Sequence, residues 1–256
     1  MADYLLKARG LQKSFGHVHV LRGTNFDVKK NEVTALLGDN GAGKTTTVKI
    51  LSGSLHADAG SVQLNGIDVD FTNPGRVMKE GIETVYQDLA LAPDLTAYAN
   101  MFLGREIKRS GVLGALGFLD RKSMRTKTEE SFRRLGTTVK DVSAPVSSLS
   151  GGQRQAVAVA RAATWATTLI FMDEPTAALG VVQTEHVLEL IESVRADGTS
   201  VVLISHNLPE VFRVVDRIQV LRLGRRVANF KTDEVTTSDV VAAMVGAKDF
   251  EAEDGR

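Results

Sequence analysis

Gly38-Asp39-Asn40-Gly41-Ala42-Gly43-Lys44-Thr45 fits the spacing G-x-x-x-x-G-K-[ST]. Glycines at these steps let a backbone close tightly, so that several N–H groups point inward at a phosphate. A helix starting near Lys44 adds its positive N-terminal end. Lys44 then brings a full charge to the β- and γ-phosphates, while the Thr45 hydroxyl ligates Mg²⁺ and Thr46 lies in the same turn. The alternative is a glycine turn followed by a chance lysine. An apolar strand before the loop and a helical pattern after it argue for the phosphate cradle, and so for binding a nucleoside triphosphate.

Hydrolysis needs more than a cradle. The apolar run Thr168–Met172 ends in Asp173-Glu174. In open α/β sheets such strand ends line the ligand crevice. Asp173 is the natural second Mg²⁺ ligand, through water, and Glu174 is placed to orient or deprotonate the attacking water. Strand-end acids are common, and this pair alone would be weak. Ser205-His206 follows the run Ser200–Ile204 in the same way, so His206 is expected at the same edge, able to hydrogen-bond the γ-phosphate or the water. A lone histidine after a strand is more often a surface residue, and His17, His19, His56 and His186 are read so.

These residues need a frame. Short strands are expected at Tyr4–Ala8, Thr24–Val28, Glu32–Leu37, Ser61–Leu64 and Ile82–Tyr86, with a helix from Lys44 to about Ser54. Residues 89–148 change character, with few strand signals and a clear helix at Arg121–Leu135. From Arg105 to Arg134 there are nine Lys or Arg against four acids. That surplus reads first as a solvated helix face. The sharper reading is a face near anionic lipid head groups or an acidic partner. After Ser150 the alternation returns: a helix at about Gln153–Trp165, strands at Thr168–Met172 and Ser200–Ile204, and a helix at about Val182–Arg195. Arg217–Leu221 and Arg226–Phe230 close as a pair around Leu223-Gly224, and a helix covers about Ser238–Val245. Strands alternating with helices imply an α/β fold with a parallel sheet, interrupted by a helical insert.

Composition narrows the class. Hydrophobic residues are 43% and charged residues 24%, enough to bury a core and too apolar for a disordered chain. Lys plus Arg and Asp plus Glu are both 31, so the general basic excess of a nucleic-acid binder is missing and no nucleic-acid partner is expected. With no cysteine, disulfide and thiolate chemistry are excluded. Apolar runs fall far short of the ~20 residues of a membrane-spanning helix. The stretch MADYLLKARG lacks an apolar signal core. The expected place is the cytoplasm, with any membrane contact peripheral.

Leu149-Ser150-Gly151-Gly152-Gln153 is a second glycine turn before a helix, without a lysine. With the first loop, Asp173-Glu174 and a downstream histidine in this order, it resembles the ATP-binding subunit of ABC transporters, over about residues 4–246. The resemblance implies a P-loop NTPase (RecA-like) core with an antiparallel β subdomain, formed by residues 1–88 and 149–246. It also implies an inserted α-helical subdomain at 89–148 and a polar tail at 247–256. It implies a head-to-tail homodimer with ATP sandwiched between the P-loop of one copy and the Ser150-Gly151-Gly152-Gln153 turn of the other. Phe15 matches the aromatic that stacks on adenine, with a core aromatic as the alternative. Gln87, in Val85-Tyr86-Gln87-Asp88, matches the glutamine that reaches Mg²⁺ and the attacking water and opens the insert. The insert would receive a coupling helix from a membrane permease. One position departs: Ala177-Ala178-Leu179-Gly180 stands where the family reads Ser-Ala-Leu-Asp, so Gly180 replaces the aspartate that touches the opposite subunit.

The segments Tyr86–Leu89 and Ala99–Glu106, together with Asp173–Gly180 and Ile204–Asn207, resemble simple-sugar importers of the ribose, xylose and fructose type. A single-half subgroup similar to fructose importers fits best. The implied assembly is two copies with permease subunits at the cytoplasmic face of the inner membrane, served indirectly by a sugar-binding protein. The alternatives are a soluble ABC ATPase acting on DNA or ribosomes, or a separate export subunit. The insert has no sustained heptads, and the chain has one P-loop, which favours import.

Overall fold

The computed structural model describes residues 4–136, 139, 141–177, 179–248 and 250. Ala178 and most of the expected tail at 247–256 lie outside them. In chain order the elements are β1 (Tyr4–Phe15), β2 (Val18–Lys29), β3 (Val33–Gly38), α1 (Lys44–Leu51), β4 (Ala59–Leu64), β5 (Ile67–Asp68), α2 (Pro74–Lys79) and β6 (Ile82–Val85). There follow α3 (Ala97–Met101), α4 (Gly111–Ala115), α5 (Arg121–Arg134), α6 (Gly151–Trp165), β7 (Leu169–Asp173), α7 (Val181–Ala196) and β8 (Ser200–Ile204). The last are α8 (Leu208–Val214), β9 (Arg217–Arg222), β10 (Arg225–Lys231) and α9 (Thr237–Val245).

The chain divides into two compact units. The first comprises Met1–Thr84, Ala166–Glu174 and Val194–Arg256, the second Val85–Trp165 and Pro175–Ser193. In the sheets of the fold, one of four strands runs β2-β1-β4-β5 and is antiparallel, and one of six runs β10-β9-β3-β8-β7-β6. β3 pairs in parallel with both β8 and β9, and β7 pairs in parallel with β8. β3, β7 and β8 are buried along their whole length, as continuous apolar runs in a covered parallel sheet should be. Phe26, Leu36, Leu51 and Phe171 meet in one core that reaches from the small sheet to the large one. A buried ion pair also joins the two sheets, with Arg226 of β10 donating to Asp27 of β2 at 2.7 Å.

In the second unit, α3 and α6 meet at Trp165. Its Nε1 donates to the Met101 carbonyl at 2.7 Å, and its ring stands edge-on to Phe102 at 5.4 Å. α5 buries Met124, Thr128 and Phe132 and leaves its charged face exposed, as its periodicity foretold.

Several boundaries differ from the sequence expectations. β1 and β2 run well past Tyr4–Ala8 and Thr24–Val28, because register shifts carry the ladder through polar, glycine-containing stretches that look like strand ends. α1 stops at Leu51 rather than near Ser54. α6 starts at Gly151, so two glycines placed before the helix lie inside its first turn. α2 and α8 were not foreseen. Each carries proline in its first turn, where the missing N–H costs nothing.

Candidate functional site

α1 begins on Gly43, whose φ of 105° is open to glycine and strained for other residues. A Cβ there would come within 2.6 Å of Leu21 Cδ2, so the leucine would have to shift to admit it. Thr47, fully buried, returns both its hydroxyl and its N–H to the Gly43 carbonyl, each at 2.9 Å. Lys44 arches back over the loop and donates to the carbonyls of Gly38 and Asp39, at 2.8 and 3.1 Å. Burial lowers its pKa from 10.5, against the pull of Glu174, Asp173 and Asp39.

The loop is held from behind. The β9–β10 hairpin turns through Leu223 and Gly224, both with positive φ (49° and 76°), the signature of a two-residue hairpin turn matched to strand twist. Gly224 N–H donates to the Ala42 carbonyl at 3.1 Å. The Gly224 carbonyl accepts from Arg22 N–H at 2.9 Å and from the Thr24 hydroxyl at 2.7 Å. A trans peptide unit is planar, so the Ala42 carbonyl and the Gly43 N–H point opposite ways. Tying the carbonyl outward therefore aims the Gly43 N–H into the loop. A Cβ on Gly224 would run into the Val20 carbonyl oxygen. In the sequence Leu223-Gly224 reads only as a turn, and Thr24 only as the start of a strand. The one available signal was the leucine-glycine pair between two strands.

β7 ends at Asp173, whose charged form the Thr45 side chain favours. Burial first, and then Glu174, raise the Asp173 pKa, against Lys44, Thr45 and Lys49. A buried carboxylate beside a like charge gains from a divalent cation, and the Thr45 hydroxyl with this carboxylate offers the hard oxygen donors that Mg²⁺ prefers. Glu174 sits just past the strand at φ 51°, a left-handed position that strains a non-glycine residue, while its N–H donates to the Ile204 carbonyl at 2.9 Å. Its Oε1 is 3.3 Å from His206 Nδ1, just beyond β8. The structure thus gathers Lys44, Thr45, Asp173, Glu174 and His206 at one end of the parallel strands. Asp39, Asn40, Gly41, Ala42 and Thr46 form the surrounding loop and first helical turn. Phe15 ends β1 with its ring half exposed, and Lys13 Nζ lies 5.7 Å from its centroid. It is not a core aromatic.

In the second unit, Ser150 caps α6. Its hydroxyl accepts from Gln153 N–H at 3.2 Å, and Gln153 Oε1 accepts from Ser150 N–H at 2.9 Å, a reciprocal capping box. The first intrahelical bond is Arg154 N–H to the Ser150 carbonyl, leaving the N–H groups of Gly151 and Gly152 ahead of it. Gln183 of α7 packs on Gly152, where a Cβ would meet its Cγ at 2.9 Å. Gly180 accepts the first bond of α7, from Thr184 N–H at 2.9 Å, and so holds its N-cap. Gln87 is exposed just after β6. No group of three or more His, Cys, Asp or Glu able to hold a metal occurs among the described residues, and none of their helices is long and apolar enough to cross a membrane.

The ABC transporter family profile matches residues 21–177. The fructose import ATP-binding protein FrcA of Rhizobium meliloti is 48% identical over 96% of this chain and 95% of its own length. The xylose/arabinose import ATP-binding protein XylG of Sulfolobus acidocaldarius is 43% identical, covering 95% and 94%. The chain spans about half, 48%, of a ribose import ATP-binding protein RbsA from Hahella chejuensis, at 36% identity. Among solved structures, a dimeric post-hydrolysis ATP-binding cassette bound to ADP and Pi superposes with a TM-score of 0.75 at 25% identity, covering 89% of this chain and 98% of that one. An ADP-bound cassette of an ABC transporter gives 0.78 at 25% identity, covering 95% and 99%. With the P-loop, the strand-end acids and the capped serine-glycine turn in their places, the chain belongs to the ABC transporter family, as one of its ATP-hydrolysing, ATP-binding cassettes.

Proposed function

We propose that this chain powers the import of a simple sugar as the ATP-binding subunit of an ABC importer, working as a homodimer beneath a separate membrane permease. The observation that carries the reading is the division of anion-binding chemistry between two unlike turns. One has a lysine, a hydroxyl and a carboxylate. The other has a capped helix N-terminus, in a different unit, and no lysine; the neighbouring cation, Arg154, is turned back onto the Leu149 carbonyl at 2.7 Å. A turn of the second kind completes a phosphate site supplied by another copy. The likeness to relatives named for import of fructose and of xylose and arabinose supports sugar as the substrate.

In this reading the P-loop N–H groups and Lys44 hold the β- and γ-phosphates of ATP, and Phe15 stacks on the base. Mg²⁺, when bound, neutralises phosphate charge. Thr45 and Asp173 would hold it, with Gln87 reaching in from the start of the insert. Glu174 orients the attacking water and accepts its proton, and His206 supports Glu174 and the terminal phosphate. Ser150, Gly151, Gly152 and Gln153 close on the γ-phosphate of the opposite copy. By motif, residues 1–88 and 149–246 carry the nucleotide chemistry and 89–148 are the insert that meets the permease, at the cytoplasmic face of the inner membrane, while the Ser150 turn and α6 belong to the same compact unit as the insert. A sugar-binding protein would act on the permease.

Phosphate release and MgATP-dependent pairing, read by size-exclusion chromatography, test the sandwich. Lys44→Ala and Ser150→Arg should each abolish both, and Glu174→Gln should keep pairing while losing turnover. Pairing and turnover untouched in the first two variants would overturn the assignment. Uptake of labelled fructose, xylose or ribose by permease vesicles bearing the protein tests the substrate class.

A further inference from the structure

The stretch between α3 and α5 forms a self-tied hairpin. Asp120 N–H donates to the Ile107 carbonyl at 2.7 Å, Lys108 bridges to Leu119, and Arg109 N–H donates to the Phe118 carbonyl at 2.9 Å. α4 caps the hairpin, closed by Leu116 N–H to the Val112 carbonyl and Phe118 N–H to the Leu113 carbonyl, each at 3.0 Å. Only Gly114 is buried within this cap, packed on the Arg109 carbonyl. Val112 is 76% exposed, Leu116 69%, Phe118 55% and Leu113 45%. An apolar crest of this kind on a charged subunit marks an interaction site.

Its chemistry is specific. Residues 107–119 contain no acid, and 111–119 no side chain that can hydrogen-bond. Lys108 and Arg109 are exposed at the neck, with Arg121 and Lys122 just beyond. The flanking acids are engaged locally: Glu106 accepts from Gly104 N–H at 3.0 Å, and Asp120 accepts from the Ser123 N–H and hydroxyl. Apolar groups alone would serve a protein groove as well; the exposed cations beside them, with no acid over residues 107–119, are what select an anionic surface. A bilayer asks only for apolar groups above and cations at the head-group level.

We infer that this hairpin is a membrane-surface anchor, with Val112, Leu116 and Phe118 entering the interface and Lys108 and Arg109 meeting anionic lipid head groups. The inference rests on the transporter reading only in needing a membrane nearby.

Flotation of the purified full chain with vesicles tests it, comparing phosphatidylglycerol–phosphatidylcholine mixtures with pure phosphatidylcholine. The wild type should favour the anionic vesicles by roughly tenfold or more, and lose that preference at high salt. Leu116→Ser/Phe118→Ser and Lys108→Gln/Arg109→Gln should each cut binding by about tenfold or more. Both should keep the basal ATP hydrolysis of the isolated chain, because the hairpin is outside the phosphate site. Wild-type indifference to anionic lipid, or variants that float as the wild type does, would overturn the anchor. Variants that float normally but fail to assemble with the permease would replace it with a protein contact. A wild type that hydrolyses no ATP would strike the transporter reading instead and leave the lipid result standing.

Discussion

Replacing Glu174 by glycine should make the protein more stable while ending its turnover. Glu174 sits at φ 51°. A left-handed backbone costs a residue with a Cβ about 1–2 kcal/mol, and glycine pays no such penalty. Glycine is freer in the unfolded chain, which takes back about 0.5–1 kcal/mol. The difference leaves roughly 0–1.5 kcal/mol in favour of glycine, with its middle at ~0.75 kcal/mol. In a chain of this size each kcal/mol moves Tm by about 2–4 °C, so the middle of that range is a gain of about 1.5–3 °C. Removing the carboxylate also relieves Asp173, whose pKa Glu174 helps to raise. Glu174→Gln separates the two effects, because it loses the charge and keeps the strained Cβ. Calorimetry without nucleotide, with a chelator present, should rank Glu174→Gly above Glu174→Gln. Steady-state phosphate release should be abolished in both. If Glu174→Gly melts at or below Glu174→Gln, the strain argument is refuted. If either variant hydrolyses at the wild-type rate, Glu174 does not orient the water.

Gly224→Ala should loosen the back of the P-loop, weakening pyrophosphate binding in calorimetric titration at least as much as it weakens ATP binding; unchanged pyrophosphate affinity would remove the hairpin from that role. Asp173→Asn should raise stability at neutral pH without Mg²⁺. The Asp173 pKa is raised above its ordinary 3.8, so the folded state is penalised as pH climbs through that value and stays penalised above the folded pKa. The variant's advantage in urea melts should therefore vanish below about pH 3.8. Gly180→Asp should leave ATP affinity nearly unchanged and cap α7, a gain of a few tenths of a kcal/mol over glycine. An aspartate there would restore the residue that touches the opposite copy in the family, so the hydrolysis rate should change, and equal turnover in both forms would refute the coupling.

The chemistry of the first unit could be read from the chain because it lies in short, ordered words. Eight residues give the P-loop, and two strand ends give Asp173-Glu174 and His206, whose placement follows from strands that are apolar throughout. The serine-glycine turn was legible as a turn, but its capping box moved the helix start to Gly151, and only geometry shows Ser150 and Gln153 satisfying each other. The Gly224 support was hidden for a different reason. It works through backbone groups, and the residues it joins, Ala42, Arg22 and Thr24, carry no pattern relating them to a distant hairpin. The crest on α4 shows the same limit. Its apolar residues look like core by composition, and their exposure follows only from the hairpin that lifts them away.

The hydrogen bond between Gly224 and Ala42 has a bearing on biosynthesis. A ribosome delivers Gly38–Thr45 well before Gly224, yet the peptide that orients Gly43 is fixed by the turn that Gly224 makes. Contacts so distant in sequence form late. Nascent chains stalled before β10 should therefore hold an unshaped cradle, and the growing polypeptide acquires its grip on phosphate only once that hairpin has been made.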